Sequence, residues 1–519
     1  MKFIYHRISA LPKLAWLASV KDSSTDVHVW HGPRVEVREQ FFVEGTWDGQ
    51  FQYGEFATTD AFFGSGAKLD SDTIVFVSSS TTMVGLFAAT QIQKRWVSNS
   101  LPLLLAAISE QLTSKCADYR RIADAAVHGL SNCNQKIPTN CDSVQSIYYR
   151  NIRFENGCIN EFDKQMPPPF QCFKDYSLYL QSKYGAIAAN ARDRARRYPF
   201  QILSTQSRGF DSTAVNSIAA QHGVDKVFTI RDARFKTRYD TEENSELTSL
   251  DDGTPICAQL DLPSVTIDRR AFTKISFCEE IYYAAYPKLQ DVNLHEIQEH
   301  ITDVAILLTG QMGEVWRKKI DPRFLNDNLR RMDAAGQGLA ELRLESGFVE
   351  VALPFIGARR WPEIHAISNA REMEAFRKTG QIYDKPIARR IATEGGVPEA
   401  LFGQRKLATA VLFPVPTLPV DDILRSDYLA FLKQEGILTA WKIRCLPLVQ
   451  SINGVLERMN RRNYRLLFYA ARILEKTFRR TSLRSGMWRE LDSHLYCFCV
   501  NRRIAAYRRV LPSIPEQVE

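Results

Sequence analysis

The feature that most constrains the fold is a change of pattern at the proline-rich stretch QMPPPF, residues 165–170. Three successive prolines can continue neither a helix nor a hydrogen-bonded strand, so this stretch predicts a boundary between domains. Beyond it, short apolar segments alternate with helical ones; the apolar segments include PFQILST (199–205), VDKVFTI (224–230) and DVAILLTG (303–310). Such alternation indicates an α/β domain built on a doubly wound parallel sheet.

The remaining sequence divides into two further parts. Residues 35–100 are rich in short apolar and aromatic runs separated by Gly, Asp and Ser, which predicts a β-rich domain over residues 1–165. A second proline-rich segment, LFPVPTLPV, ends at residue 420 and is followed by a mostly helical pattern. We therefore expect the α/β domain to cover residues 171–420 and a basic helical extension to cover residues 421–519.

Composition excludes several classes of protein. Hydrophobic residues make up 45% of the 519 residues and charged residues 24%, values typical of globular chains and not of disordered or collagen-like ones. No apolar run approaches the roughly 18 residues that span a bilayer, and the basic start of the chain lacks a continuous signal-peptide core. The ten cysteines include no CxxC pair, which argues against a zinc ribbon or a dithiol redox site. The sequence predicts a cytoplasmic protein with reduced thiols and no membrane span.

The net charge of +8 resides in the last fifth of the chain. Residues 421–519 contain 18 lysines and arginines against 10 acidic residues, an excess equal to that of the whole chain. A basic region of this kind can meet an acidic partner or, less favoured here, nucleic acid. It can equally be a solvated face of arginine-rich helices.

One loop in the α/β part has the composition of a phosphate site. Residues 206–212, Q-S-R-G-F-D-S, follow an apolar strand and precede a helix. Ser207, Gly209 and Ser212 offer backbone amides and hydroxyls where a helix begins, and helix starts favour anions. A carboxylate beside bound phosphates makes most chemical sense as a ligand of Mg²⁺, which assigns that role to Asp211.

The loop S-R-G-F-D-S resembles the S-G-G-x-D-S pyrophosphate loop of the ATP pyrophosphatase superfamily. Four further stretches, in the family's order, resemble the synthetase domain of asparagine synthetases and their relatives, the β-lactam and lasso-peptide macrolactam synthetases. These stretches are FTIRDAR (228–234), LTGQMGE (308–314), LPFIGARRW (353–361) and GQRKLATA (403–410). The resemblance implies an ATP-binding synthetase fold that uses ATP and Mg²⁺.

Matching positions one by one, the resemblance implies specific roles. It implies that Asp211 and Glu314 hold Mg²⁺ and that Lys406 stabilises the transition state of adenylate chemistry. Arg208 stands where the family usually has glycine and could contact phosphate instead. The positions that match AMP contacts are Gln206, Ile230, Thr309 and Gly310, and those that match the pyrophosphate loop are Ser207, Gly209, Asp211 and Ser212.

The N-terminal part resembles the glutaminase domain of the same family. EGTWDGQF (44–51) is similar to its D-G-x-F stretch, and WVSNSLPLLLA (96–106) to its F-x-S-E-x-K-x-L-L stretch. That domain uses a terminal cysteine, whereas this chain has Lys2 there and its first cysteine is Cys116. We therefore expect a degenerate, glutaminase-like β-sandwich without glutamine hydrolysis.

Together these observations predict an ATP-dependent, AMP-forming amide ligase of the asparagine synthetase type. It would activate a carboxylate as an acyl-adenylate for attack by an amine or ammonia. Two alternatives stay open. One is an adenylating enzyme of the same loop class that acts on RNA, and the other is a catalytically inactive scaffold that keeps the fold.

Overall fold

A computed structural model describes residues 1–22, 24–70, 73–155, 158–231, 251–378, 383–403, 418–448, 477 and 489–512. It combines a β-rich N-terminal region, largely antiparallel, with a parallel α/β sheet. Within these residues, no helix has both the length and the apolar character that crossing a membrane requires.

The N-terminal region contains thirteen strands and three short helices among the described residues. The strands are β1 (Lys2–Arg7), β2 (Trp16–Lys21), β3 (Asp26–His31), β4 (Glu36–Val37), β5 (Phe41–Trp47), β6 (Phe62–Asp70), β7 (Thr73–Val77), β8 (Leu86–Gln91), β9 (Lys94–Ser98), β10 (Lys136–Pro138), β11 (Ser143–Ile147), β12 (Asn151–Glu155) and β13 (Cys158–Phe162). The helices are α1 (Leu101–Ala107), α2 (Tyr119–Asp124) and α3 (Leu130–Cys133).

These strands form two sheets packed face to face. The first has the order β1-β3-β2-β9-β8-β11-β10 and the second β13-β12-β7-β6-β5-β4, and the β1–β3 pair is the one parallel pair among their described strands. Trp16 of the first sheet packs on Phe42 and Phe76 of the second, with ring centroids 5.0 and 6.2 Å away, and donates its indole N–H to Ser65. The shared apolar layer makes this region a β-sandwich.

The rest of the described chain supplies the α/β part and the helices that follow it. Its elements are α4 (Phe173–Ala191), β14 (Gln201–Thr205), α5 (Phe210–Ala219), β15 (Lys226–Thr229), α6 (Thr254–Gln259), β16 (Ser264–Thr266), α7 (Cys278–Ala285), β17 (Ala305–Thr309), α8 (Leu342–Ser346), β18 (Phe348–Ala352), α9 (Trp361–Ser368), α10 (Pro386–Glu394), α11 (Asp422–Gln434) and α12 (Arg489–Val510).

The five strands of the α/β part form the predicted parallel sheet. Their order is β16-β15-β14-β17-β18, and every neighbouring pair is parallel. All five residues of β17 and of β18 are buried, as expected for strands covered on both faces. Numbered along the chain the order is 3-2-1-4-5, the order of doubly wound folds, so the strand order reverses between β14 and β17. Ligands of such sheets bind where that reversal opens a crevice.

The described part of the predicted C-terminal extension packs into the rest of the molecule. Helix α12 lies against α1, α2 and α7, and Leu495, Cys497 and Val500 are fully buried there. Asp492, also buried, accepts a hydrogen bond from Arg120 of α2 at 2.9 Å. Helix α12 therefore joins the sandwich side of the molecule to the α/β side.

Candidate functional site

The loop that joins β14 to α5 lies at the reversal point of the sheet and closes on itself. The Ser207 amide donates to the Ser212 hydroxyl at 3.1 Å, and the Gly209 amide donates to the Ser207 hydroxyl at 3.1 Å. The two hydroxyl oxygens are 3.0 Å apart. The serines predicted to face phosphate are thus together, and in this structure they hold the loop amides in place.

Gln206, predicted to contact AMP, is buried behind the loop. Its side-chain amide donates to the Thr213 hydroxyl at 3.0 Å and its carbonyl oxygen accepts from Asn216 at 2.7 Å. Gly253 approaches it closely, because a Cβ there would lie 2.5 Å from Cγ of Gln206. The Gln206 side chain therefore anchors the loop to α5 and to the chain that follows β15.

A second loop, after β17, meets the first at Asp211. A Cβ on Gly310 would lie 2.7 Å from Cβ of Asp211, and one on Gly313 would lie 2.2 Å from its Cγ. Met312 between them has a φ of 70°, in the left-handed region. The two stretches that the sequence singled out, about 100 residues apart, are therefore pressed together, and only glycine leaves room for the approach.

Asp211 lies at the centre of a small charged cluster. The Lys385 ammonium donates to both of its carboxylate oxygens, at 2.7 and 2.5 Å. Burial raises the pKa of Asp211, the Lys385 charge opposes the rise, and the charge of Glu314 adds to it. Glu314 also forms an ion pair with Arg317 at 3.6 Å. Asp211 and Glu314 thus lie within electrostatic reach of each other.

The sequence did not predict Lys385 at this site. The side chain is 1% exposed and its backbone directly precedes Pro386, which opens α10. The neighbouring Asp384 forms a buried ion pair with Arg389 at 3.0 Å, and the Arg389 guanidinium lies 4.8 Å from the Phe210 ring centroid. The only local feature of Lys385 in the sequence is its place before Pro386, at the start of a helix. That feature does not indicate its partner Asp211, which lies 174 residues away.

Arg208 contacts two other segments, the chain just before α6 and the chain that follows α10. Its amide donates to the buried Asp251 carboxylate at 2.8 Å, and its guanidinium Nε donates to the Leu401 carbonyl at 3.3 Å. Gly403 donates to the Arg208 carbonyl at 2.8 Å. Lys406, the predicted catalytic lysine, lies three residues further on and outside the described residues.

Thr309 ends β17, and a second residue that the sequence reasoning missed, Glu350, lies in the middle of the neighbouring strand β18. The Thr309 hydroxyl donates to Oε1 of Glu350 on β18 at 2.8 Å, and both residues are buried. Oε2 of Glu350 is buried without a hydrogen-bond partner among the described residues. Burial raises the pKa of Glu350 to about 6. Ile230 follows β15 and is buried.

The side chains at the junction of the two loops include possible ligands of Mg²⁺. Asp211 and Glu314 supply two carboxylates, and no cluster of three acidic, histidine or cysteine side chains suited to a metal occurs within the described ranges. Mg²⁺ is commonly held by one or two carboxylates, with phosphate oxygens and water completing its six ligands. The donor set therefore fits a Mg²⁺ ion that arrives with a nucleotide.

Comparison with protein-family models found no model that matches the chain. Comparison with curated proteins likewise found no match.

Proposed function

We propose that the protein is an ATP-dependent, AMP-forming amide ligase of the asparagine synthetase type. It activates a carboxylate as its adenylate, releases pyrophosphate, and lets an amine or ammonia attack the activated carbonyl. The observation that carries the proposal is the meeting of the Gln206–Ser212 loop with the Gly310–Glu314 loop at the reversal point of a parallel sheet. Anionic ligands bind such points because helix starts and loop amides converge there.

The residues divide the chemistry between them. Ser207, Gly209 and Ser212 would bind the leaving pyrophosphate once their mutual hydrogen bonds give way to phosphate oxygens. Asp211 and Glu314 would hold Mg²⁺, which when bound supplies positive charge that stabilises the phosphates in the transition state.

We assign to Glu350 the role of accepting the proton of the attacking amine. Its carboxylate is buried beside Thr309 at the end of β17, and one oxygen has no partner among the described residues. A pKa of about 6 leaves it mostly ionised at neutral pH, which suits a general base. Lys406 keeps its predicted role of stabilising charge at the adenylate.

The amine is proposed to come from outside, without glutamine hydrolysis by the N-terminal sandwich. Burial raises the pKa of the Cys116 thiol, and it raises that of Cys133 to about 11. A raised pKa keeps a thiol protonated and weakly nucleophilic.

One observation favours the alternative of an inactive scaffold. The amides of Ser207, Arg208 and Gly209 all donate to side chains of the protein itself, and Asp211 is already neutralised by Lys385. A loop whose amides already have hydrogen-bond partners within the protein keeps its shape without a ligand. The experiment below separates the two possibilities.

The proposed function is tested by exchange of labelled pyrophosphate into ATP, screened across amino acids, peptides and sugar acids. We expect at least one carboxylate to support exchange with the wild-type protein. Asp211→Asn should reduce exchange by about 100-fold or more, since it removes a ligand of the Mg²⁺ that would stabilise the transition state. Asp321→Asn, a substitution of an exposed aspartate paired with Arg323, is the matched control and should leave exchange unchanged. Exchange that survives Asp211→Asn would contradict the proposed site, and no exchange with any carboxylate would favour the scaffold.

A further inference from the structure

We propose that Lys385 and a divalent cation are alternative partners of Asp211. Lys385 neutralises the carboxylate in the nucleotide-free protein, and it must release that carboxylate before a metal–nucleotide complex can bind. The inference rests on the proposed function for the identity of the incoming cation, and it adds a residue that the sequence did not single out.

Lys385 engages the whole carboxylate group of Asp211. The Lys385 ammonium donates to both oxygens of Asp211, at 2.7 and 2.5 Å, and its side chain is 1% exposed. Charge-assisted bonds of this length are among the stronger hydrogen bonds in proteins. Both carboxylate oxygens of Asp211 are therefore engaged while Lys385 stays in place, although 23% of the Asp211 side chain is exposed.

Electrostatic repulsion opposes the binding of two cations to Asp211 at once. An ammonium and Mg²⁺ on one carboxylate would lie about 4 Å apart, where like charges repel strongly in a partly buried site. Glycines 310 and 313 press the second loop against Asp211, so the carboxylate cannot move far to separate two cations. One of them has to leave.

The Lys385 ammonium would have a second anionic partner once phosphates are bound. The Lys385 backbone is fixed by Pro386 and by the buried Asp384–Arg389 pair, but its four-carbon side chain can change rotamer. Phosphates bound at the Ser207–Ser212 loop would lie beside Asp211, and lysine binds phosphate as a mobile point charge. Lys385 would thus move from a carboxylate to a phosphate oxygen when nucleotide and metal arrive together.

The test measures binding of Mn²⁺ alone by electron paramagnetic resonance, with no nucleotide and no turnover. Lys385→Met keeps the length of the side chain and removes its charge, which leaves Asp211 without its main cationic partner. We expect it to bind Mn²⁺ at least about tenfold more tightly than the wild type, because the carboxylate is freed for the metal. The gain should be absent from the double variant Lys385→Met/Asp211→Asn and from Lys319→Met, which removes an exposed lysine near the same loop.

A measurement on the wild type guards against a variant that fails to fold. A water-soluble carbodiimide joins a carboxylate to an amine in direct contact, so the free protein should yield a Lys385–Asp211 crosslinked peptide by mass spectrometry. Saturating Mg²⁺ and AMPPNP should lower that yield at least about fivefold as the ion pair opens.

The outcomes separate the inference from the proposed function. Equal Mn²⁺ affinity in the wild type and in folded Lys385→Met, or a gain that persists in the double variant, would overturn the inference. A crosslink yield that saturating Mg²⁺ and AMPPNP leaves unchanged would also overturn it. The wild type could bind no nucleotide while Lys385→Met still binds Mn²⁺ more tightly in a way that depends on Asp211. That result would support the competition for Asp211 and contradict only the proposed function.

Discussion

Gly310 and Gly313 let the loop after β17 press directly against Asp211. The close approach fixes the position of a carboxylate whose pKa is already perturbed by burial and by the charges of Lys385, Glu314 and Arg317. Small displacements of such a group have large effects, since a misplacement of about 1 Å can cost roughly 100-fold in rate. Single substitutions next to Asp211 should therefore be enough to reduce the activity of the proposed site.

Gly313→Ala is expected to lower pyrophosphate exchange about 100-fold while the protein stays folded, because the new Cβ would lie within 2.2 Å of Cγ of Asp211 and displace it. Gly396→Ala is the control: a Cβ there meets nothing within 4 Å, although the φ of Gly396, unlike that of Gly313, is positive, at 89°. The control should cost about 1–2 kcal/mol of stability through backbone strain and leave exchange unchanged. Equal activity in the two variants would contradict the assigned position of Asp211.

Glu350 should make stability depend on pH. Burial raises its pKa from 4.5 to about 6, opposed by the Thr309 hydroxyl and by the charges of Arg331 and Arg343. Because the folded state binds the Glu350 proton more tightly than the unfolded state, protonation of Glu350 stabilises the fold. This contribution to the free energy of unfolding is fully present below pH 4.5 and is lost as the pH rises to about 6.

In the wild type, Glu350 should therefore lower the free energy of unfolding by up to about 2 kcal/mol as the pH rises from 4.5 to 6. Glu350→Gln should not show this decrease, because glutamine does not titrate. Urea denaturation at several pH values measures it, and the exposed Glu39→Gln serves as control. A pH profile unchanged by Glu350→Gln would show that this carboxyl titrates normally.

At the scale of elements, helix α10 braces the first loop. Arg389 pairs with the buried Asp384 and lies over the Phe210 ring, the first residue of α5. Breaking one half of a buried pair costs more than the pair contributes, because the remaining charge stays desolvated.

Arg389→Met should lower the free energy of unfolding by about 3–5 kcal/mol. The double variant Arg389→Met/Asp384→Asn should recover a large part of that loss, since it removes the stranded carboxylate as well. Chemical denaturation of the four proteins in the cycle measures the coupling, and additive losses would show that the two side chains act independently.

Elements with local signals were predictable from the sequence, and contacts between distant segments were not. β14 and β17 are short apolar runs beside glycine-containing loops, and both were predicted in the right parallel sheet. Lys385 and Glu350 carry no local pattern, because a lysine before proline and a glutamate within an apolar strand fit many structures. Their roles arise from partners 174 and 41 residues away.

At the scale of the molecule, two arginines of the C-terminal helix α12 bind the protein's own acidic groups. Arg502 contacts Glu280 and Asp427, and Arg503 contacts Glu345. Charges used in this way are less available to nucleic acid, which weighs against the alternative of an RNA-directed enzyme for this part of the chain. The sequence did not predict that α12 is part of the core. Its apolar residues pack against α1 and α7, which are distant in the sequence, so no local pattern indicates the contact.

Leu495→Asp should abolish cooperative thermal unfolding or prevent folding, because it buries an unpaired charge at a fully buried position between helices. Arg509→Glu, on the exposed side of the same helix, should stay within about 0.5 kcal/mol of the wild type. Circular dichroism melting curves measure both. A cooperative melt of Leu495→Asp close to that of the wild type would show that α12 is an appended element.

The central claim, that the junction of the two loops binds a nucleotide, is tested most directly by a crystal structure of the wild-type protein with Mg²⁺ and AMPPNP. The account predicts phosphates between Ser207–Ser212 and Gly310–Glu314, with the metal on Asp211 and with Lys385 moved onto a phosphate oxygen. Nucleotide bound in another crevice, or a saturated crystal with both loops closed and the Lys385–Asp211 pair intact, would contradict it.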